Sequence, residues 1–185
     1  MRVMEQRNLL ITGLPGTGKT TLVVRLIERL ATFKAAGFYT EEVRTGGTRK
    51  GFQIVDLRDT RALLSDVDMS GRQRVGKYGV DVEGFEQYLK TVPFLSPDTD
   101  LVVIDEIGRM ECLSGKFTRL VVDLLDAPVM VVATIALRGG GIIDRIKNRA
   151  DVHLYLVTKE NRDSLVDEVE TAVRGGLARR AKGGS

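Results

Sequence analysis

The sequence is 185 residues long and has no tryptophan, one histidine and a single cysteine, Cys112. One thiol cannot close a disulfide within the chain, and it rules out Cys-rich metal sets, so Cys112 reads as an unreactive filler. Long apolar runs are missing too. None approaches the ~20 residues needed to cross a bilayer, and the start, Met1 to Arg7, lacks a signal-like hydrophobic segment, so no membrane partner and a cytoplasmic location are expected. A large excess of one charge is also absent. The net charge is +3, and Arg179, Arg180 and Lys182 lie together in the tail, leaving the rest of the chain close to neutral. Nucleic acid stays open as a partner, but the charge does not point to it. There is no internal repeat, and a monomer is expected.

What is present is ordinary for a globular chain, with 43% hydrophobic and 29% charged residues. The length suits one α/β domain over residues 1–174, followed by a basic, glycine-rich tail over 175–185 that reads as disordered. The stretch that orders the rest is Gly13, Leu14, Pro15, Gly16, Thr17, Gly18, Lys19 and Thr20, a full match to G-x-x-x-x-G-K-[ST]. The apolar run Leu9-Leu10-Ile11 precedes it, and Leu22, Val23, Leu26, Ile27 and Leu30 follow at helical spacing. Strand, loop and helix are the context this motif requires. Backbone N–H groups and the helix N-terminus then form an anion cradle. Lys19 is expected against the β- and γ-phosphates, and Thr20 on Mg²⁺.

Further on, Phe38 to Val43 and Lys50 to Leu57 alternate around Thr45-Gly46-Gly47-Thr48, predicting a β-hairpin. A strand is expected near residues 61–65. The segment from there to Tyr78 reads as a mobile excursion. A short helical face at Phe85, Tyr88 and Leu89 leads to the second motif, Leu101-Val102-Val103-Ile104-Asp105-Glu106. An apolar run ending in two carboxylates predicts a buried parallel strand that presents them at its C-terminal edge. Phe117, Leu120, Val121, Leu124 and Leu125 mark a helix, Val129 to Ala133 a strand ending at Thr134, and Val152 to Val157 another strand. Leu165, Val166, Val169 and Val173 mark a final helix.

Asp105 is placed to hold Mg²⁺ with Thr20, and Glu106 to orient and deprotonate an attacking water, with Glu111 as a second candidate base. Thr134 is a candidate hydrogen-bond donor to the γ-phosphate or the water. Arg109, Arg138, Arg145, Arg149 and Arg162 follow strand ends or start helices on the catalytic side. Any of them could supply the positive charge that the phosphate loop itself lacks.

Four stretches carry a resemblance. They are Gly13 to Thr20, Gly37-Phe38-Tyr39-Thr40-Glu41-Glu42-Val43-Arg44, Asp105-Glu106-Ile107-Gly108-Arg109-Met110-Glu111, and Val157-Thr158-Lys159-Glu160-Asn161-Arg162-Asp163. Together they resemble the nucleoside-triphosphatase THEP1 family, over Asn8 to about Val173. The resemblance implies a P-loop NTPase of α/β class, with a RecA-like, mostly parallel sheet, helices on both faces and an antiparallel hairpin insertion. It also implies slow hydrolysis of ATP, GTP, CTP and UTP without base preference. By the same resemblance the nucleotide sites are Gly13 to Thr20 and Leu101, Val102, Val103, Ile104, Asp105, Glu106, Ile107 and Gly108, with the Thr134 strand between the phosphate-loop strand and the Asp105 strand. Two rival readings stay open. One is a small kinase whose acceptor occupies the hairpin and residues 66–78, where Arg72, Arg74 and Lys77 lie. The other is a nucleotide-switched binding protein.

Overall fold

The structure, a computed structural model, describes residues 7–183. The continuous apolar runs become buried parallel strands: β1 (Asn8–Thr12), β7 (Leu101–Ile107) and β8 (Met130–Ile135). The remaining strands are β2 (Ala35–Thr45), β3 (Thr48–Asp56), β4 (Arg61–Asp66), β5 (Arg74–Val75), β6 (Tyr78–Val80) and β9 (Val152–Leu156). All nine form one sheet in the order β5-β6-β4-β3-β2-β7-β8-β1-β9. From β2 to β9 the pairings are parallel. From β2 outward to β5 they are antiparallel.

Alternation along the buried strands sends successive side chains to opposite faces, and each face acquires its own core. On one side, Leu9, Ile11, Leu101, Val103 and Val132 pack with α1 (Lys19–Arg29) and α5 (Arg162–Gly183). On the other, Leu10, Phe38, Val102, Ile104 and Val131 pack with α2 (Val82–Leu89), α3 (Gly115–Asp126) and α4 (Gly141–Lys147). Phe38 is central to this second core, its ring centroid 5.9 Å from Phe85, 6.0 Å from Tyr88 and 6.3 Å from Phe117. Asp81 caps α2 by accepting from the Gly84 N–H at 2.9 Å, and Ser114 caps α3 by accepting from the Phe117 N–H at 3.0 Å. Gly37 is needed where β2 meets β7. Its φ is 138°, and a Cβ there would collide with the Val103 carbonyl.

Two expectations change. The tail does not become disordered at Gly175, because α5 continues to Gly183. The reason is Leu177, which extends the Val169, Val173 stripe by one more turn and is 7% exposed, while Arg180 donates to the Asp100 carbonyl at 3.2 Å. Residues 184–185 lie outside the described part. The segment from 66 to Tyr78 is a structured return rather than a mobile excursion. Its end forms the β5–β6 hairpin, braced by Arg74 donating to the Lys77 carbonyl at 2.6 Å. Among the described residues no helix is long and apolar enough to cross a membrane.

Candidate active site

The turn from β1 into α1 places Gly13 to Thr20 at the C-terminal edge of the sheet. Gly16 and Gly18 have φ of 77° and 100°, values open to glycine and strained for other residues, which turns the backbone around a concavity. Thr17 is buried and braces the turn, its Oγ donating to the Leu14 carbonyl at 2.8 Å. The Lys19 ammonium donates to the carbonyls of Gly13 at 3.2 Å and Leu14 at 3.4 Å, so it lies over the loop.

Strand β7 ends beside this loop because both parallel strands point the same way, with β8 between them. Asp105, 1% exposed, is where their tips converge. Its Oδ2 accepts from the Thr20 hydroxyl at 2.8 Å and the Thr40 hydroxyl at 3.3 Å, and its Oδ1 from the Thr134 hydroxyl at 2.5 Å. Three hydroxyl donors hold one carboxylate. Thr134 therefore meets Asp105 directly, and its strand lies where the resemblance implied. The Thr20–Asp105 pair is all oxygen and has a single carboxylate, and no group of three or more His, Cys, Asp or Glu side chains able to hold a metal occurs among the described residues. Such a sparse donor set suits Mg²⁺, which takes most of its ligands from waters and substrate phosphates.

Glu106 is half-buried and faces the cleft. Burial pushes its pKa up, with Lys19 pulling it back down and Asp105 raising it further. Glu111, on the 3-10 turn Glu111–Leu113, is 6% exposed, and its pKa is pushed up to about 8, chiefly by burial, so it is largely protonated at neutral pH. A Cβ on Gly108 would lie 2.8 Å from the Glu111 carboxylate, so this glycine makes room for the acid. Cys112 is partly buried against the core, its thiol pushed up to about 12 by burial.

The cleft has a volume of about 1090 Å³, and its wall includes Gly13 to Gly16, Gly18 to Thr20 and Glu106. Of the implied nucleotide stretch Leu101 to Gly108, Glu106 lines the cleft. Leu101, Val102, Val103, Ile104 and Ile107 are at most 2% exposed and face the two cores. A strand covered on both faces offers polar groups at its tip, where Asp105 and Glu106 stand. Arg109, Arg138 and Arg162 line the cleft. Arg145 is not in its wall. Arg149 lies far from it, paired at 2.7 Å with both Asp126 and Asp151 near the start of β1. Among the described residues, Arg109 and Arg138 make no hydrogen bond or ion pair. Arg72, Arg74 and Lys77 do not reach the cleft wall. Sequence reasoning gave Thr40 no role, although it stands within one of the four resembling stretches.

The NTPase family model matches residues 8–170. The chain is 40% identical to nucleoside-triphosphatase THEP1 of Thermotoga sp. (strain RQ2) over 167 residues, covering 90% of this chain and 95% of the relative. It is 40% identical to the human cancer-related nucleoside-triphosphatase over 186 residues, covering 91% and 97%. The solved structure of THEP1 from Aquifex aeolicus superimposes with a TM-score of 0.76 at 36% identity, covering 88% of this chain and 96% of that one. The solution structure of a human cancer-related nucleoside triphosphatase superimposes with a TM-score of 0.77 at 40% identity, covering 91% and 98%.

Proposed function

The chain belongs to the nucleoside-triphosphatase THEP1 family, and from that premise we propose that it is a Mg²⁺-dependent cytoplasmic enzyme, slow in turnover, that hydrolyses ATP, GTP, CTP and UTP to the nucleoside diphosphate and phosphate. The observation that carries the reading is the meeting of Thr20, at the start of α1, with Asp105 and Glu106 at the tip of β7, the Thr20 hydroxyl lying 2.8 Å from the Asp105 carboxylate. Thr20 and Asp105 would hold Mg²⁺. When bound, that ion would supply neutralisation of the charge on the transferring phosphate.

The loop backbone binds the phosphate chain through its N–H groups, and Lys19 leaves the Gly13 and Leu14 carbonyls to meet the β- and γ-oxygens. Glu106 orients a water in line with the γ-phosphorus and accepts its proton, a role that its burial-raised pKa favours. Thr134 and Thr40 fix the rotamer of Asp105, so the metal-holding oxygens are set before substrate arrives. The absence of base preference rests on the family resemblance.

Slow turnover follows from the arginines. Arg109, Arg138 and Arg162 are exposed at the cleft wall and must be ordered against the γ-phosphate before they can neutralise charge there, a contribution worth ~10³ to 10⁵ in rate in related phosphoryl-transfer enzymes. The purified protein alone should turn over at or below ~1 s⁻¹, the lower end of common values. The test is steady-state phosphate release from each of the four triphosphates with Mg²⁺ and again with excess chelator. Release that survives chelation would defeat the metal reading, and hundreds of turnovers per second would mean that an arginine is already in place.

A further inference from the structure

The cleft continues past the place where hydrolysis needs it to end. Sheet order fixes the direction in which a nucleotide must lie. Glu106 and Asp105 at the tip of β7 mark the γ end, the phosphate loop leaves β1, and β9 lies beyond it. The nucleoside therefore extends toward β9 and the start of α5, away from β2. A smaller recess of about 150 Å³ lies on that side, lined by Gly18, Thr21, Leu22, Arg25, Arg162 and Asp163. On the opposite side of Glu106, beyond Thr40, the main cleft is walled by Glu41, Glu42, Arg49 and Phe52 of β2 and β3, which a triphosphate seated on the loop has no reason to reach. The whole cleft, about 1090 Å³, is slightly above the ~300–1,000 Å³ usual for a site enclosing one small ligand.

This far wall is built, not left over. The Arg49 guanidinium lies 5.3 Å from the Phe52 ring centroid and 5.8 Å from that of Tyr78. It donates to the Tyr78 hydroxyl at 2.8 Å and pairs with Glu42 at 2.7 Å, and Glu42 also accepts from Arg44. Glu41 is held by Gln53 at 3.0 Å and by Arg61. The result is a flat cation backed by an aromatic ring, flanked by carboxylates whose positions are set in advance. A flat cation stacks on a planar ring, and fixed carboxylates accept from sugar hydroxyls and exocyclic amines.

We propose that the β2–β3 wall is a second-substrate subsite for a nucleoside, whose free hydroxyl takes the position of the attacking water and receives the γ-phosphoryl group. The step balances without another reactant. The acceptor oxygen forms a bond to the γ-phosphorus as the bond from that phosphorus to the β–γ bridging oxygen breaks. The hydroxyl proton passes to Glu106 and then to solvent, leaving a nucleoside diphosphate and a nucleoside monophosphate. This inference rests on the proposed roles of Lys19 and Glu106, since transfer and hydrolysis share both.

The experiment supplies γ-³²P-ATP and Mg²⁺ to the full chain with adenosine, guanosine, cytidine, uridine or thymidine at millimolar concentration, and separates labelled phosphate from labelled monophosphate. At least one nucleoside should give labelled monophosphate, with saturating dependence on its concentration and a matching fall in free phosphate. Arg49→Ala should lower the ratio of transfer to hydrolysis at least tenfold, and Arg49→Lys, which keeps charge but loses the planar face, should lower it as well. Binding is read separately, by calorimetric titration of the same nucleosides into protein saturated with Mg²⁺-ADP, so that the nucleotide position is already filled. Normal phosphate release with no labelled monophosphate from any nucleoside overturns the transfer step, and the absence of binding heat overturns the subsite. Loss of phosphate release from ATP alone, with nucleoside binding intact, counts against the hydrolysis reading instead and leaves the subsite supported.

Discussion

Strands β1 and β8 are buried at every residue and β7 at all but Glu106, whereas β3 and β4 in the antiparallel half alternate between buried, half-buried and exposed residues. The difference follows from what covers each half. Helices pack both faces of β1, β7 and β8, so their buried polar groups stand at or near strand ends, Asn8 at the start of β1 and Thr12, Asp105 and Thr134 at the C-terminal side. The outer strands keep a solvent-facing side, and their polar residues are distributed along it and pair with one another, as Glu41 does with Arg61 and Glu42 with Arg49. The parallel half thus concentrates chemistry at points, and the antiparallel half spreads it over a surface. Thr40 joins the two, because it lies on β2 yet bonds Asp105 at 3.3 Å.

The largest effect should come from the point chemistry. Lys19→Ala removes the cation over the phosphate loop and should reduce phosphate release to background and weaken triphosphate binding, while leaving the unfolding midpoint little changed. Turnover at the wild-type level would remove Lys19 from the site. Next, Glu106→Gln should lower turnover ~10²- to 10⁴-fold, the usual contribution of a general base, and leave Mg²⁺-nucleotide affinity near wild type. Asp105→Asn should damage affinity as well as turnover, since it also disturbs the Thr20 and Thr134 bonds. If both variants lost affinity equally, the division between holding metal and activating water would be wrong.

A third change tests the seam between the halves. Phe38 sits on β2, is fully buried, and meets Phe85, Tyr88 and Phe117. Phe38→Ala should cost ~3–5 kcal/mol in chemical denaturation, the range for emptying a large buried aromatic. A loss under 1 kcal/mol would mean that the outer strands are not coupled to the core through this residue.

A smaller effect should come from Glu111. Its folded-state pKa of about 8 lies above the ordinary value of 4.5. Between those values the unfolded chain releases this proton while the folded chain keeps it, so the protein binds more protons folded than unfolded, and stability falls as pH rises across the window. Glu111→Gln should raise the melting temperature most near pH 8 and not at all near pH 4. A gain equal at both ends would rule out a titration origin. The smallest change belongs to the surface. Lys34 and Asp98 pair at 3.2 Å with side chains 70% and 80% exposed, and Lys34→Ala should not move the melting temperature measurably at physiological salt.

Local sequence determined much of this protein. A glycine-rich turn with Lys19 and Thr20, flanked by a short apolar run and a 3.6-residue stripe, specifies its own strand, loop and helix. An apolar run ending in Asp105 and Glu106 specifies a buried strand with acidic residues at its tip, because that local chemistry permits few alternatives. The extension of α5 was also legible, since Leu177 follows Val173 at helical spacing, but the neighbouring Gly175, Gly176 and basic residues masked it. Only the tertiary structure decided which residues meet. That Thr40 and Thr134 share Asp105, that Arg138 reaches the cleft while Arg149 lies near the far ends of the strands, and that Arg49 and Phe52 wall the same cleft as Lys19 all depend on the order of strands across the sheet. That order is set by the packing of segments far apart in the chain, and no spacing within one segment encodes it.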